Sequence, residues 1–172
     1  MTRILGIDPG SRITGYGDID TDGARTVHRA SGRIVPPGSG LDERLRSIFE
    51  GVRQVVDEHR PEELAVEDVF VARNAGSALK LGQARGAAIL AGVLQGLPLF
   101  EYPPARVKQA ITGQGRADKG QVQHMVRLLL GLAEAPPEDV SDALAVALCH
   151  AHSRATLARL PEARGWRAGR LR

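Results

Sequence analysis

Residues 4–17, ILGIDPGSRITGYG, constrain the fold more than any other part of the chain. The run is apolar and too short for a helix, it ends in a single carboxylate, Asp8, and Pro9-Gly10 turns the chain immediately afterwards. That pattern reads as the first arm of a β-hairpin, which puts Asp8 on a strand inside a sheet. An ionised carboxylate in such a place is costly unless a cation or hydrogen-bond donors compensate it. The rest of the chain must therefore supply what pairs with it.

After this arm, residues 12–20 and 26–34 alternate as second and third strands around an Asp22-Gly23 turn, giving a three-stranded antiparallel meander. Pro36-Pro37-Gly38-Ser39-Gly40 breaks the pattern, and Leu45, Ile48, Phe49, Val52, Val55 and Val56 then recur at helical spacing up to about His59. Pro61 ends that helix, and residues 64–71 form a short apolar strand carrying Glu67 and Asp68. Strand, helix and strand in succession suggest a parallel crossover that sets this strand beside the first. A helix over residues 74–95, a strand over 97–102 and helices over 105–111, 119–132 and 138–152 complete the pattern. Ala75, Ala78, Gly82 and Gly86 make a small-residue stripe on the first of these helices. Glycine inside a helix costs about 1 kcal/mol relative to alanine, so the stripe points to close approach by another element. Both a subunit interface and packing on the chain's own sheet satisfy it.

A chain of 172 residues that is 42% hydrophobic and 25% charged fits one globular domain, expected over residues 1–152, with an Arg-rich tail over 153–172 outside it. The longest uncharged run, residues 86–100, holds 15 residues including Gln95 and Pro98, short of the ~18 that span a bilayer. Asp8 interrupts the only apolar N-terminal segment, which argues against a signal peptide. The expectation is a cytoplasmic protein with no membrane contact. Cys149 is the single cysteine and reads as a buried thiol.

Charge is segregated along the chain. Of 20 acidic residues, 13 lie at or before Asp68, whereas Arg73, Lys80, Arg85, Lys108, Arg116 and Lys119 fall in a middle segment holding only Glu101 and Asp118. Such segregation is the footprint of a polyanion binder and equally of solvated helix faces beside a soluble tail. The last helix has Pro just before its start and acids in its first turn, as helix N-termini favour. At about 100° per residue its Asp139 and Asp142 stand roughly 60° apart beside the apolar face, so both can point at the sheet edge. With Asp8 and Glu67 they make four hard oxygen donors, a set suited to Mg²⁺ or Mn²⁺. His124, His150 and His152 fit packing or exposed roles.

Taken in order, ILGIDPGSRITGYG, VEDVF, NAGSALKLGQARG, FEYPPARVKQ, KGQVQHMVRLLL and DVSDALAVALCH resemble the successive motifs of the RuvC family of Holliday-junction resolvases. The resemblance covers roughly residues 4–152, and the final GRLR is similar too. It implies an RNase H-like α/β fold, with a five-stranded mixed sheet flanked by helices. The implied activity is that of a crossover junction endodeoxyribonuclease of DNA recombination and repair, which nicks two opposed strands of a four-way junction as a homodimer. The implied mechanism is two-metal phosphodiester hydrolysis leaving a 5′ phosphate and a 3′ hydroxyl, with Mg²⁺ as cofactor and Mn²⁺ able to replace it. Branch-migration proteins are the implied partners.

Carried over residue by residue, the family's metal-binding acids fall on Asp8, Glu67, Asp139 and Asp142. Its basic residues near the scissile phosphate fall on Lys108 and Lys119. Phe70 matches the aromatic placed against bases at the junction centre, although as a strand residue it also fits a core. Arg73, Lys80, Arg85 and Arg116 extend the expected DNA contacts. Departures from the pattern are Asp68 beside the glutamate, Pro103-Pro104 ahead of the Lys108 helix, and Arg116 in the loop before Lys119. The first segment also resembles the phosphate loop of actin-like and sugar-kinase ATPases, but those close a second lobe over ATP that this chain is too short to supply.

Overall fold

The computed structural model describes residues 1–38, 40–68, 74–159, 166–167 and 170–171. Strands β1 (Thr2–Asp8), β2 (Thr14–Thr21) and β3 (Thr26–Ile34) form the antiparallel meander, with Asp8 opposite Gly15 in the β1–β2 register. Helix α1 (Leu41–His59) crosses over to β4 (Glu63–Glu67), which pairs parallel with β1. Helix α2 (Ala75–Leu94) makes the next crossover, to β5 (Leu99–Tyr102), parallel to β4. The five-stranded sheet has the order β3-β2-β1-β4-β5, followed in the chain by α3 (Pro104–Thr112), α4 (Lys119–Leu130) and α5 (Glu138–Arg159). Two short strands, β6 (Trp166–Arg167) and β7 (Arg170–Leu171), pair near the C-terminus.

The alternation of strand side chains sorts the sheet into two faces. Leu5, Ile7, Leu64 and Val66 pack with Ile48, Val52, Ala84 and Ala88 of α1 and α2. Ile4, Ile19 and Ala65 pack on the other side with α3, α4 and α5, through Val107, Val126, Leu144 and Leu148. Asp8 continues the series Ile4, Gly6, and Glu67 the series Glu63, Ala65, so both acids face α5. Because β1 and β4 run parallel, both also stand at the same end of the sheet.

Three glycines let α5 lie directly on that sheet. A Cβ added at Gly15 would stand 2.0 Å from the carbonyl oxygen of Asp139, one at Gly6 would stand 2.1 Å from that of Ala143, and one at Gly17 would stand 2.5 Å from a methyl of Leu144. Gly15 faces Asp8 across the ladder and touches Asp139 above it, so the notch sets how low the first turn of α5 sits over Asp8. Gly15→Ala is expected to lift that turn, lowering stability by about 1–3 kcal/mol and slowing the cleavage that the resemblance implies; urea unfolding and a cleavage rate check both.

Two boundaries differ from the periodicity by more than two residues. Strand β4 ends at Glu67 rather than Val71, and residues 69–73 lie outside the described set. Helix α5 runs on to Arg159 instead of stopping at His152, because its extra turns are fastened: Arg154 bonds Glu63 and Thr2, and Ser153 Oγ donates to the Cys149 carbonyl at 2.9 Å. The helix and the β6–β7 pair thus occupy part of the Arg-rich segment that the periodicity left without elements. The small-residue stripe also resolves. Ala84, Ala88, Ala91 and Gly92 are the residues of α2 buried in the chain's own core, whereas a Cβ at Gly82 or Gly86 would meet nothing within 4 Å among the described residues. Packing on the chain's own sheet therefore does not explain those two glycines. Cys149 is buried, as read from its neighbours.

Candidate active site

Four acids converge on the end of the sheet where β1 and β4 finish. Asp8 and Glu67 come from the strand ends, and Asp139 and Asp142 from the first turns of α5 above them. Burial is the main force on the Asp8 carboxyl, and Asp142, Glu67 and Asp139 add repulsion, so its pKa is pushed up to about 7. Glu67 is likewise pushed up to about 7, first by burial and then by Asp142. Burial also raises Asp142, against an opposing pull from Lys119. Among the described residues no three acidic, histidine or cysteine side chains already form a metal-holding cage. The acids are close enough to repel one another while remaining apart, and their donor chemistry fits a hard divalent cation.

The lysines stand beside this group. Asp118 caps α4 by accepting from Gln121 N at 2.9 Å, and Asp118 N donates in turn to Gln121 Oε1 at 3.0 Å, so Lys119 leads off the helix. Lys119 Nζ bonds Glu138 and lies 3.9 Å from Asp142 Oδ2. The Glu138 bond is the largest influence holding the Lys119 ammonium above its usual pKa. Glu138, which the sequence marks only as an acid favourable to a helix start, is thus also the residue that holds Lys119. Lys108 projects from α3 and lowers the pKa of both Glu67 and Asp142. Pro103 and Pro104 do not disturb it: Pro103 is the N-cap and Pro104 the first residue of α3, where a missing N–H is harmless.

Of the other expected contacts, Lys80 and Arg116 are exposed. Arg85 is already engaged by Glu101 and by the Glu67 main chain. Phe70 and Arg73 lie outside the described residues. Of the histidines singled out in the sequence, His124 and His152 are exposed and His150 is buried. Tyr102 Oη and Glu63 Oε2 each meet a ring nitrogen of His150 at 2.6 Å, beside a cavity of about 530 Å³ bordered by Thr2. That cavity is at the start of β1, the opposite end of the strand from Asp8, and it is not the acidic site.

An αβα sandwich whose mixed sheet brings strand-borne carboxylates under a helix carrying two more is the RNase H-like arrangement of a carboxylate-centred nuclease. Comparison with known proteins narrows the class. The profile of the family described as crossover junction endodeoxyribonuclease RuvC matches residues 4–150. The RuvC of Halorhodospira halophila is 61% identical over 155 residues, covering 90% of this chain and 92% of that protein. The RuvC of Methylococcus capsulatus is 59% identical, covering 93% and 96%. Thermus thermophilus RuvC, solved in complex with Holliday junction substrate, superposes with a TM-score of 0.85 at 38% identity, covering 91% of this chain and 96% of that one. The chain belongs to the RuvC family of crossover junction endodeoxyribonucleases, hydrolases of DNA phosphodiester bonds that depend on metal ions.

Proposed function

We propose that this chain resolves four-way DNA junctions with Mg²⁺, acting in the cytoplasm as a homodimer that nicks two opposed strands alongside branch-migration proteins. The observation that carries the reading is the meeting of four acids at one end of the sheet, Asp8 and Glu67 from the strand ends and Asp139 and Asp142 from α5, close enough that the other three all act on the buried Asp8 carboxyl. Asp8, Glu67, Asp139 and Asp142 would hold two divalent cations, with Mn²⁺ able to replace Mg²⁺. When bound, the ions supply positive charge at the reacting phosphate and lower the pKa of an attacking water. Lys119 and Lys108 place fixed positive charge beside the acids, where a phosphate that gains charge in the transition state would sit. Glu138 keeps Lys119 in place through their ion pair. Lys80 and Arg116, with Phe70 and Arg73 from the sequence resemblance, would extend the DNA contact.

The homodimer reading is supported by the outward face of α2. Leu79 is 65% exposed and Leu94 67%, and between them Gly82 and Gly86 leave the backbone open to close approach. No helix among the described residues is long and apolar enough to cross a membrane. Leu90→Glu on the same face is expected to give a folded monomer by sedimentation that nicks one strand at a time. A stable dimer of that variant would rule this face out.

The test of function is a labelled four-way junction beside duplex, flap and RNA·DNA hybrid, each with Mg²⁺ or EDTA. Paired symmetric nicks in the junction alone, lost in EDTA, are expected. Preferential cutting of the flap or hybrid would assign the acids to a different nuclease activity.

A further inference from the structure

Arg85 sits on the face of the sheet opposite the four acids, yet it reaches one of them through the main chain. Its Nε donates to the carbonyl oxygen of Glu67 at 3.3 Å, its Nη2 donates to Glu101 on β5, and Nη2 stands 4.0 Å from Asp68 Oδ1. The Arg85 side chain is largely covered, 19% exposed, and that of Glu101 is 47% exposed. Glu67 is the last residue of β4, where the ladder runs out, although Asp68 N still donates to the Tyr102 carbonyl at 2.8 Å. A planar guanidinium with fixed donor directions that bonds a carbonyl and a carboxylate at once fixes one relative to the other. Holding the Glu67 carbonyl fixes its peptide plane, and with it the direction in which the side chain leaves the strand.

We propose that Arg85 is a positioning residue for Glu67: anchored on Glu101, it holds the end of β4 so that the Glu67 carboxylate faces Asp8 and Asp142. This rests on Glu67 being a metal ligand, as read above. The rival role, a direct contact to junction phosphate, would require DNA to draw the guanidinium away from two carboxylates and a carbonyl. Glu101, sixteen positions from Arg85, is then part of the same device.

The test uses the full-length chain with Arg85→Gln, Arg85→Lys, Glu101→Gln and Glu67→Gln, with Mg²⁺ as the probe. Three quantities are read: junction affinity in EDTA as salt is varied, the Mg²⁺ concentration at half-maximal cleavage, and the Mg²⁺ concentration at half the metal-induced rise in melting temperature. Arg85→Gln is expected to raise both Mg²⁺ midpoints about tenfold or more while junction affinity and its salt slope stay at the wild-type values. Glu101→Gln is expected to shift the midpoints in the same direction by less, and Arg85→Lys to fall between Arg85→Gln and wild type. The double variant that combines Arg85→Gln with Glu101→Gln should be no worse than Arg85→Gln alone.

Unchanged Mg²⁺ midpoints with weaker junction binding and a salt slope reduced by about one would make Arg85 a phosphate contact and overturn the proposal. If Arg85→Gln fails to fold, the partly exposed Glu101→Gln decides, and wild-type midpoints in it would overturn the proposal. Glu67→Gln separates this outcome from the underlying reading. If it keeps wild-type Mg²⁺-dependent cleavage, the metal-ligand assignment falls; if it abolishes cleavage while the Arg85 and Glu101 variants keep normal midpoints, only the positioning role falls.

Discussion

Asp8→Asn is expected to cut junction cleavage by at least about a hundredfold in Mg²⁺, because the proposed function makes Asp8 a metal ligand shared by the site, which cannot be spared, while junction binding in EDTA stays at the wild-type level. In the proposed function binding rests on lysine and arginine contacts to phosphate, which the substitution leaves alone. The two effects therefore separate in one experiment, a single-turnover cleavage assay beside a binding titration. Glu67→Gln and Asp142→Asn should behave alike. A residual rate above about a hundredth of wild type in any of them would remove that residue from the metal site.

The same substitution carries a stability signature of opposite sign. Asp8 titrates near 7 in the fold against an ordinary 3.8, so between those values the folded chain binds protons that the unfolded chain has lost, and stability falls as pH rises. Asp8→Asn removes the buried charge, so the metal-free variant should melt above wild type at pH 8, and the gap should close toward pH 4. Mg²⁺ should raise the wild-type melting temperature more at pH 8 than at pH 5, and should raise the variant's less.

A second large effect is expected far from the chemistry, at Asp18 in the middle of β2. The residue is fully buried, and neither carboxylate oxygen has a hydrogen-bond partner among the described residues. Arg3 Nε stands 3.9 Å from Asp18 Oδ2 but bonds Asp20 Oδ1 at 2.8 Å, and Arg29 Nε bonds Asp20 Oδ2 at 2.5 Å. Both cations are committed to Asp20, whose carboxyl is held below the usual range chiefly by the Arg3 bond. Asp18, by contrast, is pushed up to about 7, mainly by burial.

The folded pKa lies above the unfolded one, so Asp18 lowers stability progressively as pH rises from about 4 to 7, by about 4 kcal/mol in all. Urea unfolding of wild type and Asp18→Asn across pH 4–8 isolates this residue from Asp8 and Glu67, which slope the same way in both proteins. The stability of Asp18→Asn relative to wild type should climb by that amount over the range. A difference that stays flat with pH would mean that Asp18 is not held protonated.

The four candidate acids were legible in the sequence because each breaks a pattern: Asp8 ends an apolar run as its single carboxylate, Glu67 ends another with Asp68 beside it, and Asp139 and Asp142 border one helical face. The meander, the first crossover and the helices follow from periodicity and from the Pro and Gly residues that punctuate it, whereas the parallel pairing of β5 with β4 is seen only in the fold. What was not legible depends on one element lying across another. The contacts of Gly6, Gly15 and Gly17 with α5 exist only once that helix rests on the sheet. Helix α5 continues to Arg159 because Arg154 reaches Glu63 and Thr2, residues distant in the chain. The Arg85–Glu101–Glu67 contacts join three elements with no spacing rule between them, so Arg85 counted only as one more positive charge.

The most direct measurement is anomalous diffraction from crystals of the full chain soaked in Mn²⁺. Manganese bonded to Asp8 and shared with Glu67 and Asp142 is the expected result. Manganese bound elsewhere with none on Asp8, or no bound metal at a concentration that supports cleavage, would contradict the assignment of these acids as the metal site.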